Sequence, residues 1–163
     1  MGLDFQVRRA SAADAAGLHE CMRQAYTPYL IRLKGGVLPP LEADYAKEIA
    51  SYPTWVVVAQ AQIVAGLTMD FGKDTASISN VAVDPSWQGR GIGRVLLDLA
   101  EREAVLHGYA ALALATHVLL HENVHLYQHL GWTETGRDAC RVYMSKHIGD
   151  QTKSRLPDNV KVI

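Results

Sequence analysis

Val81-Ala82-Val83-Asp84-Pro85-Ser86-Trp87-Gln88-Gly89-Arg90-Gly91-Ile92-Gly93 is the stretch that decides how the rest of the chain reads. Residues 76–83 form a strand-like run that Asp84-Pro85 stops. After a short turn, the apolar positions Ile92, Val95, Leu96, Leu99 and Leu106 recur at helical spacing, and Gly108 ends that helix. A strand that runs into a glycine-rich turn and opens a helix points several main-chain N–H groups outward at the positive end of the helix dipole. Gly89, Gly91 and Gly93 let backbone come close to a ligand, and Arg90 and Arg94 add fixed positive charge. The segment therefore suits an anion, phosphate above all. Two nucleotide motifs do not fit it: the order is Gln88-x-x-Gly91-x-Gly93 rather than G-x-G-x-x-G, and no Lys-Ser/Thr pair follows as a P-loop needs.

Working outward, short strands and helices alternate without a long linker or an internal repeat. Residues 5–9 read as an edge strand. Ser11 followed by Asp14 is a capping-box start for a helix with the stripe Ala15, Leu18, Met22 and Ala25. Pro28 predicts its end near Tyr26. Residues 27–40 form a loop region, and 41–52 suggest a second helix. Strands follow at 55–59 and 63–71, joined by a turn at 60–62. Beyond the central helix come a strand at 109–117, a short helix at 122–130 closed by Gly131, and a closing pair of strands at 132–135 and 141–146. The expected class is α/β (α+β), with one domain over residues 1–148 and a polar tail over 149–163.

The 163 residues suit a single domain with a sizeable core. Sixteen Lys+Arg against seventeen Asp+Glu, with 48% apolar residues, describe a globular chain and argue against nucleic acid as a partner. Apolar runs fall far short of the roughly 20 residues that span a bilayer, so no membrane association is expected. The first residues lack a signal-peptide pattern, and Cys21 and Cys140 read as reduced thiols; a cytoplasmic protein is expected.

The order [Arg/Gln]-x-x-Gly-x-[Gly/Ala] after a strand ending in a small-apolar-Pro turn resembles the acetyl-CoA signature of the GNAT superfamily of N-acetyltransferases. Asn80-Val-Ala-Val-Asp-Pro85 is similar to that family's central strand. Glu122-Asn123-Val-His-Leu-Tyr127-Gln-His-Leu-Gly131-Trp132 is similar to its second motif, in the right order. The resemblance implies a mixed, mostly antiparallel twisted sheet of six to seven strands flanked by about four helices. A V-shaped split between the strands at 76–83 and 109–117 would receive the pantetheine arm. It further implies acetyl-CoA as acyl donor, with its pyrophosphate on the main chain of Gln88, Gly89, Arg90, Gly91, Ile92, Gly93 and Arg94. Val81 and Val83 would bond the pantetheine, with the Val81 N–H on the thioester oxygen, and Asn123 belongs to the same cofactor set.

Acetyl transfer to a primary amine by direct attack, through a tetrahedral intermediate, needs an oxyanion donor, an acid for the departing thiolate and a base. Tyr127 matches the family's acid. Many family members carry a central-strand Glu as base; here Ser79 stands where it is expected. The candidates are His117, since imidazole ordinarily titrates near neutrality, or Asp70 through water, or water alone. His121, His125 and His129 repeat every four residues on the side away from Tyr127, so they read as a solvated stripe and no metal is expected. Trp55 and Trp132 are expected in the core, Trp87 exposed beside the loop. By the resemblance the acceptor, a small amine or a peptide N-terminus, enters between residues 26–41 and 136–142, where Tyr26, Tyr29 and Arg32 could touch it. A homodimer through the strands at 5–9 and 141–146 is a further expectation, with 159–163 adding a short strand. The competing function is a GNAT-like module that binds acyl-CoA without catalysis.

Overall fold

Ser11 begins the first helical segment as its spacing predicts: Asp14 Oδ2 accepts the Ser11 N–H at 2.7 Å. Arg8 forks onto both Asp14 oxygens at 2.7 and 2.8 Å. The guanidinium, helped by the Ser11 N–H, holds the Asp14 carboxyl at about 2 against the opposing effect of burial. The computed structural model describes residues 4–34, 36–149 and 161–162. Its strand β1 is Gln6–Arg9, and helix α1, Ala15–Leu30, runs past the expected end and contains Pro28. Pro28 lies in the last turn, where a missing N–H costs little further ladder, and Thr27 Oγ1 donates to the Arg23 carbonyl at 2.5 Å. Tyr26 and Tyr29 in that turn have tertiary partners described below, and these outweigh the local preference.

The second expected helix is two pieces, α2 (Pro39–Glu42) and α3 (Tyr45–Ser51). Proline favours a helix start, and Asp44 caps α3 by accepting the Lys47 N–H at 3.1 Å, so the chain is extended at Ala43 and Asp44 between them. The sheet continues with β2 (Thr54–Ala59), β3 (Gln62–Phe71) and β4 (Ala76–Val83), then helix α4 (Ile92–Leu106), β5 (Ala111–His117), helix α5 (His121–His129), β6 (Thr133–Arg137), β7 (Arg141–His147) and β8 (Lys161–Val162). The order is β6-β7-β5-β4-β3-β2-β1-β8. Pairing is parallel at β4/β5 and β1/β8 and antiparallel elsewhere, so the sheet is mixed, seven strands plus the two-residue β8.

Two strands expected at sheet edges are interior. β1 lies between β2 and β8, and β7 between β5 and β6. The last described residues add to β1 of their own chain, and the β6–β7 hairpin covers the other side, so neither strand offers a continuous free ladder for a two-fold partner. Residues 150–160 of the tail lie outside the described residues.

One face of the sheet packs on α4, through Ile92, Leu96 and Leu99, which are buried with Leu67, Met69, Leu112 and Met144. The other face carries α1 and α3, with Leu18, Met22 and Tyr45 buried on Val56. Close approach of α1 to β3 depends on Gly66. A Cβ there would stand 2.5 Å from Leu18 Cδ1 and 2.9 Å from Met22 Cε. Gly66→Ala is expected to lower stability by about 1–3 kcal/mol, read as a lower chemical-denaturation midpoint with an unchanged slope. A midpoint equal to the native one would show that the helix seat tolerates overpacking.

Candidate active site

The split follows from the register. β4 meets β5 only at Ala76 opposite Leu112 and Ser77 opposite Ala113. On its other edge Asn80 faces Thr68 but Ile78 faces Met69, which leaves Ser79 as an extra residue, a β-bulge. A bulge bends a strand and increases its twist, and beyond it β4 leaves β5. Ser79, at the position where a carboxylate was sought, is thus the exposed residue of the bulge.

Past the bulge the main chain of β4 presents alternating groups. The Asp84 N–H donates to Val64 O at 2.8 Å. By antiparallel alternation Ala82 also bonds toward β3, whereas Val81 and Val83 turn their N–H and C=O groups toward the split. The Val83 carbonyl is taken by Gln88 Nε2 at 3.1 Å, and the Val81 carbonyl is 3.5 Å from the Tyr26 hydroxyl. An extended ligand laid along β4 would exchange the first of these bonds for its own.

The glycine-rich turn lies at the mouth of the split. Gly89 and Gly91 have φ of +76° and +80°, and a Cβ at either would meet nothing within 4 Å. Only backbone conformation, and whatever approaches from outside, calls for glycine there. Buried Ile92 anchors the helix, whose first internal bond runs from Val95 N–H to Gly91 O at 3.1 Å. The N–H groups of Ile92, Gly93 and Arg94 precede that ladder and are left for an anion. The Arg90 guanidinium lies over the Trp87 ring, 4.5 Å from its centroid, and Arg94 lies 3.5 Å from Asp98. Trp87 is half-buried on the core rather than exposed, because it supports the turn from below.

At the inner end of the split, side chains from both faces converge. Tyr26 donates to Asn80 Oδ1 at 2.6 Å, and Asn80 Nδ2 reaches Met22 Sδ at 3.4 Å. Burial first, then the neighbouring phenols of Tyr127, Tyr45 and Tyr29, push Tyr26 far above the usual tyrosine range. From the opposite face α5 brings Tyr127, packed edge-on against Trp132 with ring centroids 5.9 Å apart. Burial, and then Tyr29, raise its phenol to about 12. Asn123, one turn earlier, donates to Thr116 Oγ1 at 3.4 Å at the end of β5. Arg32 forms an ion pair with Glu122 and donates to Leu119 O at 2.8 Å, tying the loop after α1 to the start of α5 across the mouth.

A family model described as Acetyltransferase (GNAT) family matches residues 19–132, more than half of the chain. The chain belongs to the GNAT acetyltransferase family. Among curated relatives, N-acetylaspartate synthetase of Danio rerio is 31% identical over 98 residues, 59% of this chain but 34% of that protein, so the chain spans about a third of that relative. An uncharacterized N-acetyltransferase of Escherichia coli, YjgM, is 26% identical over 158 residues, covering 87% of this chain and 94% of the relative. The fold matches the PaiA N-acetyltransferase of Thermoplasma acidophilum, solved with coenzyme A, at a TM-score of 0.78 and 17% identity over 88% of this chain and 98% of that one. It also matches an acetyltransferase of Thermus thermophilus at a TM-score of 0.70 and 20% identity, over 90% and 99% of the two chains.

Against this GNAT frame the sequence-level candidates divide. Val81 and Val83 lie on β4 past the bulge, residues 88–94 in the turn and helix start that follow, and Asn123 and Tyr127 on α5 just beyond β5. His117, at the end of β5, accepts the Leu119 N–H on Nδ1 at 3.2 Å, which leaves the proton of the neutral ring on Nε2. Asp70 pairs with Ser77 at the closed end, where β4 and β5 still touch. His121, His125 and His129 are exposed, and among the described residues no three metal-ligating side chains converge. The Asn80–Tyr26 bond and the Arg32–Glu122 tie were not visible in the sequence: partners 54 and 90 residues apart leave no local spacing to read. Among the described residues no helix is long and apolar enough to cross a membrane.

Proposed function

We propose that this acetyltransferase takes acetyl-CoA as its acyl donor and a primary amine, on a small molecule or a peptide N-terminus, as acceptor. The observation that carries this reading is the split itself: Val81 and Val83 turn main-chain groups into it, and a glycine-rich helix start stands at its mouth. Those residues fit the donor: positive-φ glycines with open space for a diphosphate, and a β4 edge that no strand pairs beyond Ser77, open to an amide-bearing arm. The coenzyme A held by the Thermoplasma relative supports the same assignment.

Attack by the amine nitrogen on the acetyl carbon forms the N–C bond and a tetrahedral intermediate, whose collapse breaks the C–S bond with the electron pair leaving on sulfur. The Val81 N–H stabilises charge on the carbonyl oxygen. Tyr127 donates a hydrogen bond or its proton to the sulfur; a phenol raised to about 12 stays protonated throughout the working range. In this dry inner end the departing thiolate is destabilised as well, which narrows the gap between the two groups. His117 takes the amine proton on Nδ1 after releasing the Leu119 N–H.

The test has two readouts. Calorimetry with desulfo-coenzyme A reports the donor site, and thiol release over an amine panel reports turnover. Heat with coenzyme A and none with ATP is expected, and a chain that gives no heat with coenzyme A sinks the reading. His117→Gln should lower kcat/KM for the amine while leaving the heat of desulfo-coenzyme A binding unchanged; an unchanged kcat/KM would move the proton to water.

A further inference from the structure

Beside the split lies a shelf that the donor site leaves free. Leu112 and Leu114 of β5 and Val142 and Met144 of β7 are buried in the core. By strand alternation Ala113, Ala115 and His117 face the other way, together with their cross-strand partners Ser145, Tyr143 and Arg141. Ala115, Tyr143 and Arg141 are exposed on that face. Between the split and the rim this face carries two small side chains, half-buried Ala113 and exposed Ala115, and the rim itself is a cation and a phenol.

Arg141 differs from the other cations nearby. Arg32 is held by Glu122, Arg137 by Glu134, and Lys146 by Glu101. Among the described residues Arg141 has no carboxylate within ion-pair distance. Asp138 is near and its charge faces Arg141, but it holds the main chain rather than the guanidinium: Oδ1 accepts the N–H groups of Cys140 and Arg141 at 2.8 Å each, and Oδ2 accepts the Tyr143 hydroxyl at 2.7 Å. These bonds fix the main chain of Arg141, so the guanidinium is presented from a rigid hairpin.

The register sets its distance from the chemistry. Counting on from Ser77 opposite Ala113, with Ser79 as the extra residue of the bulge, His117 comes level with Val81 and Ala82 across the split. Arg141 pairs with His117 one strand further out, a spacing of about 5 Å. An amine nitrogen at the split and a group on Arg141 are therefore only a few bonds apart on one small molecule.

We propose that Arg141 reads a carboxylate on the acceptor, so that the preferred substrates are short amino-carboxylates, free amino acids foremost. This rests on the acetyl-transfer reading above and narrows its acceptor. A guanidinium binds a carboxylate through two parallel hydrogen bonds, and that geometry selects it over an amide of the same shape.

The experiment sets each standard amino acid beside its own carboxamide, with thiol release as readout. The native protein should favour the acids. Arg141→Gln should raise KM for the acids about 10- to 100-fold with kcat nearly unchanged, leave the amides where they were, and be partly rescued by Arg141→Lys. A protein that binds desulfo-coenzyme A and acetylates amides as well as acids, or an Arg141→Gln variant with unchanged KM for the acids, overturns the carboxylate reading alone. A protein that binds no coenzyme A overturns the acetyl-transfer reading and this one with it.

Discussion

Tyr127→Phe is expected to lower kcat by about 100-fold while leaving the affinity for desulfo-coenzyme A within a factor of about two. The substitution removes one oxygen and keeps the ring that packs against Trp132. Stability should hardly move, because the hydroxyl makes no hydrogen bond to the protein among the described residues. The loss therefore falls on the step in which sulfur departs. Burial, aided by Tyr29, holds the phenol at about 12, and a group so raised is half ionised only at that pH. The native rate should accordingly show no decline attributable to Tyr127 below about pH 11. Thiol release at saturating amine, measured for both proteins across pH, checks this. A kcat equal to the native one would assign the proton to water and reduce Tyr127 to a wall of the split.

The second large effect belongs to the anion turn. Gly91→Val is expected to weaken coenzyme A binding by about 10- to 100-fold, read by calorimetry, with a stability loss of about 1–2 kcal/mol. Gly91 has φ of +80°, where a β-branched side chain is strained, but the space around a Cβ is open. The affinity loss thus has two sources: the turn shifts, and the new side chain stands where a phosphate must come close to the N–H groups of Ile92, Gly93 and Arg94. Gly136→Val makes the contrast. It also has open space, but lies in the β6–β7 hairpin away from the turn, and should leave coenzyme A binding unchanged. Equal affinity of native and Gly91→Val protein would show that the diphosphate does not seat on this helix start.

Of these two residues Gly91 was legible in local pattern, whereas Tyr127 was legible only through the resemblance of its motif to the family's. The strand at 76–83 and the helix starting at Ile92 sit where periodicity and Asp84-Pro85 put them, because turn chemistry and apolar spacing are local and need no partner. The boundaries that moved were set by distant contacts. α1 runs on through Pro28 because Tyr26 and Tyr29 in its last turn meet Asn80 and the neighbourhood of Tyr127, contacts that the sequence order does not reveal.

Sequence by itself determined the alternation of strands and helices and the glycine-rich helix start with its exposed donors, since each depends on residue type at short spacing; Asn123 and Tyr127 became candidates through the resemblance of their motif to the family's. Tertiary structure alone decided where β4 parts from β5, because the bulge at Ser79 exists only in its register with β3. It also decided that Arg141 faces the same side as His117 while Arg32, Arg137 and Lys146 are ion-paired. Strand register and ion pairing are relations between segments far apart in the chain, and they take values only once the sheet has closed up around its core.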